Sequence, residues 1–258
     1  MPKETVENVF QARNRAKSMV YHLRDVMRDR ASEGVTFRLR VPSLQITQGE
    51  KIALIGESGC GKSTLLDMLA FISQPTGIAA FRFRPEQEEE AIDVAQLWKK
   101  KQMNKLGDLR KRHIGYVMQT GGLLPYLTVR ENMSLSRAVL GLRDDDTVDL
   151  LARELGIARH LGKLPETLSV GERQRVAIGR ALSNQPSIVI ADEPTASVDP
   201  FAAEKIMSLF IGLAEERNIT VVVASHAWRH IKRLGLRRLA HHTHRSKDGL
   251  TTETVVNG

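Results

Sequence analysis

The chain has one cysteine, Cys60, in 258 residues, so it can form no internal disulfide, which suits a reducing compartment. It also lacks long apolar runs. The longest, such as 219–224, fall far short of the roughly 20 residues that a membrane-spanning helix needs, so any membrane role is expected to come through a partner. The N-terminus mixes Lys3, Glu4, Glu7, Arg13, Arg15 and Lys17 and has neither the apolar centre nor the small-residue cleavage site of a secretory signal, which predicts a cytoplasmic protein. Acidic residues are in the minority, 30 against 38 Lys and Arg, and the net charge of +8 would suit nucleic acid or the anionic inner face of a membrane. Charge alone does not choose between them.

With 41% hydrophobic residues the chain can build a sizeable core as one domain with a smaller lobe. Residues 1 to about 30 are charged and helix-permissive and are expected to form an extension to a domain spanning 31–258. Val35-Thr-Phe-Arg-Leu-Arg-Val41 alternates like a half-exposed strand of a flanking antiparallel sheet, and Ala80-Phe-Arg-Phe-Arg84 does the same. The acidic run from Glu86 to Glu90 reads as a solvated hairpin tip, and Lys99 to Lys101 as a solvated face. Three short apolar runs, Lys51-Ile-Ala-Leu-Ile55, Ser187-Ile-Val-Ile190 and Ile219-Thr-Val-Val-Val223, have the continuous character of strands covered on both faces of a parallel sheet. Between them, Val148, Leu151, Leu155 and Ile157 recur at helical spacing, placing a helical insertion at about 121–183. The expected fold class is α/β: a parallel core sheet with a flanking antiparallel β-subdomain and an inserted α-helical subdomain. At the C-terminus, Leu239 to Ser246, a turn at 247–249 and Leu250 to Val256 read as a closing hairpin.

Three segments carry chemistry. Gly56-Glu57-Ser58-Gly59-Cys60-Gly61-Lys62-Ser63-Thr64 matches the P-loop pattern between an apolar strand and a helical run. Its glycines let backbone N–H groups turn toward phosphate oxygens, the following helix adds its positive end, Lys62 supplies a cation, and Ser63 a magnesium ligand. Cys60 reads as a small residue at a variable position. The second segment ends an apolar strand in Asp192 and Glu193, at the carboxyl edge where open α/β sheets place ligands. Asp192 can hold a magnesium-bound water, and Glu193 can polarise the water that attacks the γ-phosphate. Taken alone, such a pair is usually only a strand terminator. In the third, Leu168-Ser169-Val170-Gly171-Glu172, Ser169 and Glu172 stand at capping-box spacing, which predicts a helix whose N-terminal amides attract phosphate. By itself this would be an ordinary capped surface helix.

Together these segments resemble the ABC ATPase family over about 32 to 249. The resemblance implies a Walker A loop at Gly56 to Thr64, a Q-loop at Gln119 that joins Ser63 and Asp192 around Mg2+, a signature at Leu168 to Glu172, and Walker B at Ile188 to Glu193. It further implies a D-loop at Ser197-Val198-Asp199 and a γ-phosphate sensor in His226. ATP held by one subunit would be covered by the partner's Ser169 and Gly171, so a homodimer or a related pair is implied. Val170 and Glu172 depart from the usual Gly and Gln. The aromatic residue that normally stacks on adenine is not evident, and Arg30 or Phe37 stands near its place.

Arg112-His-Ile-Gly-Tyr-Val-Met-Gln119 with Leu123 to Asn132 resembles the lipoprotein-releasing and macrolide-exporting branch, which implies a separate envelope permease, location at the inner membrane face, and Leu123, Leu124 and Tyr126 as candidates for its docking groove. Direct nucleic-acid binding is not expected. Non-transport family members acting on nucleic acid or the ribosome, the alternative, usually carry tandem domains or coiled coils, and no heptad array or second P-loop occurs here. A regulatory subunit that binds ATP and only clamps, without hydrolysing it, is a second alternative, against which the intact set Lys62, Glu193 and His226 argues. His241, His242 and His244 read as alternate histidines on an exposed strand in preference to a metal site.

Overall fold

The structure, a computed structural model, describes residues 18–258 except 33, 87, 89, 144, 227–231 and 248. The N-terminal segment up to Lys17, part of the acidic run and the middle of the C-terminal turn lie outside the described residues. Among the described residues, ten strands form one sheet in the order β5-β4-β1-β2-β10-β9-β3-β8-β7-β6. The strands β3 (Lys51–Ile55), β6 (Ile114–Val117), β7 (Ile188–Asp192), β8 (Thr220–Ser225) and the near end of β9 (Arg237–Arg245) pair in parallel. β1 (Met19–Ser32), β2 (Val35–Thr47), β4 (Gly77–Phe83) and β5 (Ile92–Asp93) pair antiparallel, and β10 (Thr251–Asn257) joins the two regions.

The apolar runs are continuous because both faces of the parallel region are covered. Ile52 and Leu54 of β3, Ile188 and Ile190 of β7 and Val222 of β8 belong to one core cluster, together with helix α1 (Lys62–Leu69) and the aromatic residues Tyr21, Phe71, Phe81 and Phe83. The alternate residues Ala53, Val189, Val221 and Val223 face a second cluster. There they meet α4 (Val129–Val139), α5 (Thr147–Glu154), α6 (Val170–Leu182) and α7 (Pro200–Glu216). Each such β-branched side chain, fully buried, contributes about 1.5–3 kcal/mol. Two short helices, α2 (Val94–Lys99) and α3 (Met103–His113), connect β5 to β6.

The helix-permissive reading of residues up to 30 gives way, from Met19 onward, to strand β1. Its signal is hidden by a phase change. Leu23 and Val26 both point inward although three residues apart, because Asp25 takes a left-handed backbone (φ 44°) between them. The partner strand matches it, with Val41 and Leu44 both buried on either side of Pro42, so neither strand shows unbroken period-two alternation. β9 and β10 form the expected C-terminal hairpin, and the acidic run lies between the paired β4 and β5.

The starts of α4, α6 and α7 are set by side chains. Thr128 accepts from the Glu131 amide and Glu131 reaches back to the Thr128 amide; Ser169 and Glu172 repeat this at α6, and Asp199 caps α7. The fully buried Asn132 fixes the loop before α4: its Oδ1 accepts from the Leu124 amide, and its Nδ2 donates to the carbonyls of Leu124, Leu127 and Thr128. Asn132→Ala removes four side-chain hydrogen bonds and leaves the Leu124 amide and the Leu127 carbonyl without that partner, and the expected loss of about 1–3 kcal/mol should appear as a lower urea midpoint with an unchanged slope.

Candidate functional site

Parallel pairing of β3 with β8 and of β8 with β7 sets the carboxyl ends of three strands side by side. The loops that leave them bring Ser58, Gly59, Gly61, Glu193 and His226 together around a cavity of about 540 Å³, which Gly56, Glu57 and Cys60 do not line. Arg30, Phe37, Lys62, Ser63, Thr64 and Gln119 also line it. Gly61 holds φ 92° at the N-cap of α1, and a side chain there would meet the Phe37 ring at 2.8 Å, so only glycine admits both the turn and the ring. Phe37 and Arg30 are cross-strand partners of β2 and β1, which places both at the cavity wall.

Lys62 is 7% exposed, and its Nζ donates to the carbonyl oxygens of Gly56 (2.8 Å) and Glu57 (2.9 Å). It also lies 3.4 Å from Glu193 Oε1. Glu193 takes a left-handed backbone (φ 47°), its amide donates to Ala224 O, and its Oε2 accepts from the His226 amide and lies 2.8 Å from His226 Nδ1. A buried ammonium beneath a glycine loop attracts phosphate, and a carboxylate held by an imidazole is arranged to orient a water.

Asp192 does not line this cavity; it lines the neighbouring one together with Ser63 and Gln119, both of which line the two cavities. Its Oδ1 is buried with no hydrogen-bond partner. An orphaned carboxylate oxygen near a hydroxyl and an amide is an all-oxygen donor set, which fits a hard divalent cation such as Mg2+. Close by, Tyr116 Oη donates to Asp67 Oδ1 at 3.2 Å and Arg30 lies 3.8 Å from the same carboxylate. Burial raises Asp67 above the usual carboxylate range.

Ser169, Gly171 and Glu172 line neither cavity. Ser169 sits at the exposed start of α6, and Glu172 is held down to about 2, first by hydrogen bonds from Ser169 and then by His160 and Arg175. Glu57, Ser58, Gly59 and Cys60 have a second cavity of about 720 Å³ on their far side, walled by Arg238, His241 and His242. Burial, reinforced by Arg238, Lys62 and His242, holds His241 below the usual imidazole range. His242 stacks on His244, which pairs with Glu253 at 3.1 Å, and the described residues contain no group of three or more potential metal ligands.

The larger neighbouring cavity, about 730 Å³, is an open groove with Ile72, Met118 and Val139 exposed in its wall. Of the three groove residues expected from sequence, Leu124 lines it. Leu123 instead packs against the core, and the 73%-exposed Tyr126 is not in its wall. Ile72, Met118 and Val139 carried no recognisable signal, being isolated apolar residues in three separate segments. Asn132 and His160 were likewise missed, since their partners lie in loops whose folding the linear sequence does not display.

Comparison with known proteins bears on this architecture directly. The family model for ABC transporters matches residues 39–196. The chain is 37% identical to a macrolide export ATP-binding/permease protein, MacB, of Syntrophobacter fumaroxidans over 73% of its own length, but spans only 26% of that relative. It is also 37% identical to a lipoprotein-releasing system ATP-binding protein, LolD 1, of Chlorobium luteolum, covering 73% of this chain and 79% of the relative. A solved dimeric ATP-binding cassette in a post-hydrolysis state, bound to ADP and Pi, superposes with a TM-score of 0.71 at 31% identity, covering 85% of this chain and 93% of that one. With the P-loop, the Asp192-Glu193 strand end and the capped Ser169 helix all inside or bordering the matched span, the chain belongs to the ABC transporter family as an ATPase subunit.

Proposed function

We propose that this subunit binds Mg-ATP in the Lys62 cavity and hydrolyses it as half of a head-to-tail dimer, driving a separate membrane permease in export or mechanical work at the cell envelope. The observation that carries the reading is the convergence of Lys62, Ser63, Gln119, Glu193 and His226 on one cavity. In this reading the amides of Gly56 to Thr64 wrap the phosphates, and Lys62 exchanges its contact with Glu193 for phosphate oxygens. Glu193, released from the ammonium and still held by His226, then orients the attacking water. A magnesium ion held by Ser63, Gln119 and Asp192 would neutralise charge that develops on the phosphates. Arg30 and Phe37 stand where the base would lie.

The dimer is supported by two features. The solved relative is a dimer, and Ser169 and Gly171 lie outside the cavity that holds their own chain's Lys62, on an exposed helix end suited to a neighbouring subunit's phosphate. In this reading the chain is one ATPase domain with its helical part at about 121–183, and strand β1 extends that domain back from residue 31 to Met19. No helix among the described residues is long and apolar enough to cross a membrane. The apolar groove around Met118 and Val139 borders Gln119, and an inserted permease helix there would bear on the metal ligands directly; attachment through it would hold the protein at the inner face of the membrane.

Three outcomes are expected. Lys62→Ala removes charge-assisted hydrogen bonds worth about 1.5–3 kcal/mol, so ATP affinity measured by fluorescent-nucleotide titration should fall by about 10- to 100-fold. Glu193→Gln should retain ATP binding while kcat drops by about 100-fold or more, and ATP should then trap a dimer visible by light scattering. Val139→Asp, in the groove wall, should leave the turnover of the isolated subunit intact yet abolish recovery of a multi-spanning permease by affinity purification from detergent extract.

A further inference from the structure

Glu172 is fixed from two sides. Its Oε2 accepts from the Ser169 amide and from Ser169 Oγ, both at 2.9 Å. Its Oε1 lies 2.9 Å from Nε2 of His160, a residue 6% exposed at the end of the single helical turn Ala158–His160. Arg159 Nε stands 3.0 Å from the same Nε2. One ring nitrogen has a single in-plane position, so it cannot both donate and accept there. A carboxylate oxygen can only accept and the buried Nδ1 has no hydrogen-bond partner, so a neutral ring gains most with its proton on Nε2 toward Glu172, the exposed Arg159 side chain being able to turn its Nε–H away. The 80%-exposed Arg159 adds charge at 3.7 Å from Oε1.

The turn that carries His160 is itself anchored. The amide of His160 donates to Ile157 O, and that of Lys163 to His160 O, while the Val129 and Arg130 amides at the start of α4 donate to Lys163 O and Leu161 O. Asn132, on the same helix, holds Leu124 in the docking groove. A continuous set of hydrogen bonds therefore runs from the groove through α4 and the turn to His160, Glu172 and Ser169.

We propose that His160 is a positioning residue: its Nε2 proton orients Glu172, which in turn aims Ser169 and the first amides of α6 at the nucleotide held by the partner subunit. This rests on the head-to-tail dimer proposed above. His160 touches neither cavity of its own chain, so it should act on dimer closure and leave nucleotide binding by the monomer alone.

The test compares His160→Met, which keeps the side-chain length without a donor, with His160→Gln, whose amide N–H replaces Nε2–H. Both are placed in the Glu193→Gln background, and the ATP concentration at half-maximal dimer is read by light scattering. Loss of one charge-assisted hydrogen bond should raise that midpoint about 10-fold or more in His160→Met, with His160→Gln close to the parent. ADP affinity of the monomer and the melting temperature should match across all three proteins. Equal midpoints in the parent and His160→Met, or equal loss in both substitutions, overturn the positioning role while the dimer reading stands. A parent that fails to dimerise overturns both. A loss of ADP affinity in His160→Met that matches its loss of dimer would show a general disturbance of the fold and also overturn the proposal.

Discussion

The contact of Lys62 with three oxygens is the constraint around which the site is arranged. A lysine only 7% exposed needs compensation for the water it gives up. Two carbonyls of its own loop and one carboxylate from the end of β7 supply it. The carbonyls turn inward because the loop has glycines where a side chain would collide, as at Gly56, where an added Cβ would meet Cys60 Sγ and His241 Nε2 at 2.7 Å. The carboxylate is available because β3, β8 and β7 are neighbours in the sheet, so residues more than a hundred positions apart emerge on one edge. Glu193 stays in place through the His226 amide and imidazole at the end of β8. Phosphate oxygens are the natural replacement for that carboxylate, since they offer the same ammonium more negative charge at the same place.

What the sequence disclosed followed from local physics. Strands covered on both faces must be apolar through their middle, and residues 52–55 of β3, 188–191 of β7 and 221–224 of β8 display this. A capping box is a four-residue pattern, so the start of α6 at Ser169 was visible in the chain itself. The segments proposed to hold and hydrolyse nucleotide lie next to those strands and share their clarity. Features that depend on distant partners were hidden. Strand β1 was obscured by Asp25, whose left-handed backbone shifts the alternation by one residue, and its charged outward face resembles a solvated helix. The groove draws Ile72, Met118 and Val139 from three separate segments, each alone an ordinary exposed apolar residue. The contact between His160 and Glu172 spans a turn and a loop that no periodicity marks.

Ser63 and Gln119 give the site a second property, because they belong to two cavities at once. One cavity is polar and floored by Lys62; the other is the wider, more apolar groove reaching out to Val139. Gln119 follows β6, whose Tyr116 is tied to Asp67 of α1, and Asp67 faces Arg30 at the wall of the polar cavity. A body pressed into the groove meets Met118 and Tyr116, on the same segment as Gln119, and so can bear on the backbone that carries it. A close-packed protein passes such a displacement on, because it has few voids in which to absorb it.

The position of Ser169 completes the physical argument for a second chain. α6 presents its first amides at the surface, with Ser169 exposed and Val170 41% exposed beside it. The capping box satisfies part of this helix end, but the dipole and the remaining amides stay directed outward, where an anion is stabilised. Among the described residues, Ser169 and Gly171 line neither the Lys62 cavity nor the neighbouring groove. The chain thus carries a phosphate-attracting helix end and a phosphate-holding loop that do not face one another. Two copies related by a two-fold axis, as proposed, would bring each helix end to the other's loop, and such an isologous pairing closes with both ends matched.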